Sequence, residues 1–348
     1  MSDPRLMQEP RRRPQSEGLH CGESIEREDG IAHVIFRCNL PPQDDATTDE
    51  NTLEFRCRGP SCGALDSKED AAELDEEDLS IVDQNFFDLG YSMAGTTGFK
   101  VWSGSRFAIE ALAWPRDGDC NRLREIQSRF RTGANVIELG SGVGVVGTYL
   151  AACGSNVLMT DLPTLVDEAI DFNLARNGRG GEIRSHPQNY GDGNDDDDDE
   201  SAPSCPGWLG PDVTRVGRGW SAAAPLDWTR PLVEQLTPEA SSSVDLVVAC
   251  DVVFLTSMLN SLLRTVNSIF EESSSNVPSL LLCFQRRDTI DDIGDGAAFT
   301  TATGVIEAAE RWGWSVDCLA WRLFTVKKET NGIVADDESE VFLFEIRP

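Results

Sequence analysis

Between Val136 and Gly147 the chain reads VIELGSGVGVVG, an apolar run that enters a loop with glycine at 140, 142, 144 and 147. Asp161 ends the next apolar run, NVLMTD. Glycines at this spacing let the backbone turn sharply off a strand, come close to a bulky ligand and open a helix whose first amides face that ligand. The stretch therefore predicts a strand, a tight turn and a helix, with a cofactor pocket at the turn. That unit belongs to α/β folds.

The flanking segments extend the pattern. ANVIEL reads as a strand, VVGTYLAACG as its helix and NVLMTD as a second strand. LPTLVDEAIDFNLARNG reads as a second helix, with Leu165, Val166, Ala169, Phe172 and Leu174 on a helical spacing and Asn177 and Gly178 at its close. A third strand is expected near EIRSHP, followed by an acidic low-complexity insertion at about 190–224 whose aspartate run reads as a solvated loop. SVDLVVAC, PSLLLCFQ, WSVDCLAW and VFLFEIRP supply later strands, separated by helices at MLNSLLRTVNSIF and 299–313. Alternation of this kind implies a mostly parallel, Rossmann-like sheet with helices on both faces, over residues 91–348. Residues 1–30 read as a disordered tail, and 31–90 as an extension with a small hairpin from IAHVIF and TLEFRC and an acidic helix from Asp66 to Asp83.

Charge narrows the partners. Sixty acidic residues against thirty basic give a net charge of −30, which disfavours nucleic acid and anionic membranes and suits a basic partner. No apolar run is long enough to cross a bilayer, and the N-terminus lacks the apolar core of a secretory signal. The cysteines are scattered; Cys57 and Cys62 bracket RGPS without completing a zinc site, and Cys153, Cys250 and Cys283 lie in apolar runs. A reducing compartment, the cytoplasm or also the nucleus, is expected. No metal is expected, and His20, His33 and His186 fall outside the motifs and receive no catalytic role.

Two cofactor classes fit the glycines. Gly142, Gly144 and Gly147 satisfy the dinucleotide pattern G-x-G-x-x-G, and Asp161 stands where a ribose-binding acid belongs. Glu138 argues the other way, because a carboxylate at the turn repels a diphosphate and attracts the sulfonium and ammonium of S-adenosylmethionine. Asp161 also reads as an N-cap for the helix that starts near Pro163.

Four segments in order carry a resemblance: TGFKVWSGS at 97–105, VIELGSGVGVVG with TDLP at 160–163, PLDW at 225–228 and CDVVF at 250–254. With them the chain from Thr97 to Pro348 resembles the class I methyltransferases, and among these the methyltransferase-like enzymes that modify lysine in non-histone proteins. The resemblance implies seven strands with the last antiparallel, S-adenosylmethionine as cofactor and a protein substrate presenting lysine. It implies that Gly140, Gly142 and Gly144 lie under the methionine portion, that Asp161 accepts the ribose hydroxyls, and that Trp228 flanks the adenine. Trp102 would fold over cofactor and substrate, and Cys250 would border the cofactor. Asp251 and Phe254 match the family's D-x-x-Y/F pattern, in which the acid orients the amine and the ring borders its channel. Another acceptor residue, a small-molecule acceptor, an NAD-dependent oxidoreductase and a non-catalytic cofactor-binding module are the alternatives.

Overall fold

The computed structural model describes residues 20–28, 31–42, 52–58, 97–178, 205–273, 277–286, 300–330 and 333–348. Three strands, β1 (Cys21–Glu28), β2 (Ile31–Asn39) and β3 (Thr52–Cys57), form a small antiparallel sheet in the order β1-β2-β3. The two strands expected from IAHVIF and TLEFRC are present. β1, however, lies within the stretch read as a disordered tail. Its sequence CGESIERE carries little apolar signal, and it is ordered by pairing from Cys21↔Cys38 to Glu28↔Ile31. The acidic helix expected over Asp66–Asp83 lies outside the described residues.

The main unit runs α1 (Ser103–Ala113), α2 (Asn121–Arg131), β4 (Asn135–Leu139), α3 (Val145–Cys153) and β5 (Asn156–Asp161). A turn at Pro163–Leu165 and a π-helical segment at Val166–Ile170 then lead into α4 (Asp171–Asn177). Next come β6 (Thr214–Val216), β7 (Gly219–Pro225), α5 (Pro238–Ser242), β8 (Leu246–Cys250), α6 (Thr256–Glu272) and β9 (Ser279–Gln285). The chain ends with α7 (Ala302–Arg311), β10 (Ser315–Thr330) and β11 (Ile333–Arg347).

The sheet order is β10-β11-β9-β8-β4-β5-β7-β6. β8, LVVAC, is buried at every position, and β9 at all but its last, the continuous apolar runs that parallel strands covered on both faces require. β11 enters antiparallel between β9 and β10, as the resemblance implies for the last strand. The sheet has eight strands rather than seven, because β6 adds an antiparallel edge to β7. β6 and β7 also correct the expected insertion. Residues 214–225 form a hairpin, and β7 pairs in parallel with β5 up to Asp161↔Pro225, whereas EIRSHP lies outside the described residues. The run GWSAAAP is poor in branched apolar residues, so its small side chains hid a strand that packs under α3.

Two apolar layers sandwich the sheet. One is built on α1, α2, α3 and α4 and the other on α6 and α7. In the helix after β5, Leu165, Val166, Ala169 and Leu174 are buried as expected, but Phe172 is 43% exposed with the Arg56 guanidinium over its ring. The π-helical turn shifts the helical phase there.

The small sheet shares the first layer: Phe36, Cys38, Leu53, Phe55 and Cys57 sit in one apolar cluster with Phe107 of α1 and Tyr149 of α3. Its polar anchor is the buried Tyr149 hydroxyl, which donates to the Asn39 carbonyl at 2.7 Å and accepts from the Trp114 indole N–H at 2.9 Å. Tyr149→Phe removes both bonds and should cost about 1–3 kcal/mol, seen as a lower midpoint in denaturant unfolding with an unchanged slope.

Candidate functional site

Strand order reverses at β4, with β5 on one side and β8 on the other, and ligands of open α/β sheets bind outside the carboxyl ends of the strands at such a point. The turn leaving β4 is held by the Thr160 carbonyl, which accepts from the N–H groups of Gly140 at 2.8 Å and Ser141 at 3.0 Å. Gly140 and Gly142 have φ of 72° and 56°, and both also need their missing side chains. A Cβ on Gly140 would stand 2.5 Å from Val252 and 3.3 Å from the Trp228 ring; on Gly142 it would stand 2.9 Å from the Gly98 carbonyl oxygen. The loop thus packs beneath segment 97–102 and beside the indole of Trp228.

A cleft opens over this loop. It gathers residues from five places in the sequence: Gly140 and Gly142 from the β4 end, Asp161 from the β5 end, Trp228 from the turn after β7, Trp102 from the start of α1, and Cys250, Asp251 and Phe254 from the end of β8. Two predicted residues do not line it. Gly144 turns toward Met159 and Ile170 instead. Glu138 is 2% exposed behind the loop, where Oε2 accepts the Gly147 N–H at 3.0 Å and the Ser141 hydroxyl bonds the same carboxyl.

Burial pushes the Glu138 carboxyl up to about 8, so at neutral pH it is mostly uncharged. This corrects the electrostatic role expected for Glu138. It braces the turn and supplies no anion to the cleft. Gly147 belongs to the same brace, since a Cβ there would lie 2.6 Å from Glu138 Oε2.

Asp161, unlike Glu138, faces the cleft. Its Oδ2 accepts the Gly142 N–H at 2.7 Å and its Oδ1 the Leu162 N–H at 2.7 Å. Burial raises its carboxyl to about 6, so it is ionised at pH 7 while keeping lone pairs for further donors. The capping role is not observed: Leu162 is the N-cap of the following turn, and no side chain caps it.

Asp251 carries a left-handed backbone, φ 55°, the one positive φ among described non-glycine residues. Its carboxylate joins two elements, accepting the Gly104 N–H of α1 through Oδ2 and the Gln285 N–H of β9 through Oδ1 at 2.7 Å. The backbone N–H of Asp251 donates to the Cys283 carbonyl at 2.7 Å. A non-glycine residue held at positive φ is a strained position of the kind that clusters at active sites. Phe254 stands three residues on, and its carbonyl accepts the Thr300 N–H at 2.9 Å.

Several residues with site roles were not singled out in the sequence. Gly98 covers Gly142, and Gly104 lets Asp251 approach α1, because a Cβ there would fall 2.5 Å from Oδ2. Ser141 links the Glu138 brace to β5 by accepting the Thr160 N–H at 3.2 Å. Lys100, Leu162 and Leu165 complete the walls. The available signal was the glycine on each side of Trp102 in TGFKVWSGS. Among the described residues no cluster of His, Cys, Asp or Glu suits a metal, and no helix is long and apolar enough to cross a membrane.

The residues fit S-adenosylmethionine. Gly140 and Gly142 leave a cradle that a Cβ would fill, Asp161 offers acceptors to a vicinal diol, and the Trp228 indole offers a flat apolar face.

A 95-residue segment is 34% identical to EEF1A lysine methyltransferase 3 of Mus musculus, spanning 27% of this chain and 39% of that relative's length. Among solved structures, the magnesium protoporphyrin IX methyltransferase of Synechocystis PCC 6803 is 15% identical, covers 77% of this chain and 99% of its own, and has a TM-score of 0.34. A TehB-like SAM-dependent methyltransferase of Corynebacterium glutamicum is 14% identical, covers 78% and 98%, and also has a TM-score of 0.34. The family model described as "Lysine methyltransferase" matches residues 82–200 and 219–293, more than half of the chain. The chain belongs to the lysine methyltransferase family.

Proposed function

We propose that this protein transfers a methyl group from S-adenosylmethionine to the ε-amine of a lysine in a protein substrate. The observation that carries this reading is that Asp251 and Phe254 share one cleft with the glycine loop and Asp161, so an acceptor site adjoins the donor cradle. The mouse relative acts, by its name, on EEF1A; here the substrate is proposed as a protein with a basic, lysine-bearing surface, consistent with a net charge of −30. Nucleic acid and membrane are not the proposed partners, and the proposed compartment is the cytoplasm or also the nucleus.

The donor, when bound, supplies an electrophilic methyl group on a sulfonium that is already a good leaving group. The chain's task is to deliver a neutral amine in line. Deprotonating a lysine at pH 7 costs about 4–5 kcal/mol. Asp251 draws the ammonium in by the opposite charge of its carboxylate, and the Phe254 ring presents a face attractive to cations. The ammonium proton passes to water before attack, and the aligned nitrogen then takes the methyl group. Alignment and exclusion of bulk water supply the rate. Phe254 lacks a hydroxyl and makes no hydrogen bond to the amine.

Incubation with radiolabelled S-adenosylmethionine and cell extract should label a discrete protein band, with methyl-lysine recovered on hydrolysis. Asp251→Ala should lose the label. Since Asp251 also ties α1 to β9, Phe254→Ala serves alongside it and should slow labelling at least about tenfold with little change in melting temperature. Thermal stabilisation by NAD and none by S-adenosylhomocysteine would overturn the reading.

The raised Asp161 carboxyl predicts a pH dependence. Diol donors favour the carboxylate, so binding lowers its pKa from about 6. Affinity for S-adenosylhomocysteine is then full above about pH 6 and falls as pH drops below it, by up to about tenfold per unit until the bound-state pKa is reached. Calorimetry from pH 5 to 8 should show this slope in wild type, and Asp161→Asn should bind more weakly with the slope gone.

A further inference from the structure

The edge strand of the small sheet is completed by helix side chains. β3 pairs with β2 on one side, and on the other Glu54 and Arg56 turn their backbone groups toward α4. Asn177 Oδ1 accepts the Glu54 N–H at 2.9 Å and its Nδ2 donates to the Glu54 carbonyl at 2.8 Å. One helical turn earlier, Asn173 Oδ1 accepts the Arg56 N–H at 2.8 Å and its Nδ2 donates to the Arg56 carbonyl at 3.2 Å. Two amides at i and i+4 thus stand in for a neighbouring strand.

Asn173 differs from Asn177 in one respect. It is fully buried, and its second amide N–H donates to the carbonyl of Val143 at 2.9 Å, between Gly142 and Gly144 in the loop that floors the cleft. Because Oδ1 is committed to the Arg56 N–H, the amide cannot flip, and a donor always faces Val143. The same strand reaches the opposite wall, where the Arg58 N–H donates to the Phe99 carbonyl at 3.1 Å within the segment that covers Gly142.

We infer that Asn173 is a positioning residue for the donor site, through which β3 of the N-terminal sheet sets the glycine loop. This rests on reading the cleft as the S-adenosylmethionine site. Residues 52–58 thereby become part of the donor-binding machinery without touching the donor.

The test compares Asn173→Ala with Asn177→Ala in the full chain, with Asn173→Ser as a second variant. Asn173 and Asn177 variants all lose a clamp on β3 and should melt at lower temperature. Only the Asn173 variants also lose the Val143 bond, so their Kd for S-adenosylhomocysteine should rise about tenfold, with the donor KM rising in parallel and kcat within about twofold. Asn177→Ala should keep its Kd within about twofold. Equal Kd changes for both positions, or none at Asn173, would overturn the inference, as would failure of both Asn173 variants to fold while Asn177→Ala folds. If wild type itself does not bind S-adenosylhomocysteine, the reading of the cleft falls first and the inference with it.

Discussion

The site depends on close backbone approach at the turn after β4. Gly140 meets Val252, Gly142 meets the Gly98 carbonyl and Gly147 meets Glu138, each at a distance that a Cβ would violate, and Trp228 packs beside Gly140. Four otherwise separate pieces of chain converge because the glycines of this turn carry no side chains. Glu138 and Ser141 then lock the turn from behind, bonding to Gly147 and to β5. Polar groups buried here are satisfied by one another.

Charge in the cleft is arranged differently from what the linear order of acids suggests. Glu138, two residues before the first glycine, is neutralised by burial, whereas Asp161 and Asp251 face the cleft from the next strands. The case against a dinucleotide therefore no longer rests on Glu138. It rests on topology and family: a strand antiparallel to its neighbours, β11, separates β9 from β10, in place of the uninterrupted parallel order of dinucleotide-binding sheets.

Asp251 shows how a fold turns a surface-type residue into part of its frame. With one oxygen on α1 and the other on β9, it fixes the distance between the helix that starts at Trp102 and the strand ends beneath the cleft. The strained φ at Asp251 is tolerated because three backbone bonds surround it. The N-terminal sheet has a comparable role on the opposite side, where it is joined to α3 by Tyr149 and to α4 by Asn173 and Asn177.

Local chemistry was legible in the chain itself. The glycine spacing, Asp161, the PLDW turn and CDVVF marked a donor cleft, and continuous apolar runs marked β4, β5, β8 and β9, since such signals depend on residues close in sequence. What needed the tertiary structure were features set by partners far along the chain. β1 and β7 lack apolar patterning and exist through pairing. Gly104 matters only because Asp251, from the end of β8, comes to it, and Phe172 is exposed because a π-helical turn shifts its phase. The charge of Glu138 was decided by burial, which no neighbour in sequence reveals: desolvation is a property of the whole surrounding fold, whereas backbone conformation at a glycine turn belongs to the turn itself.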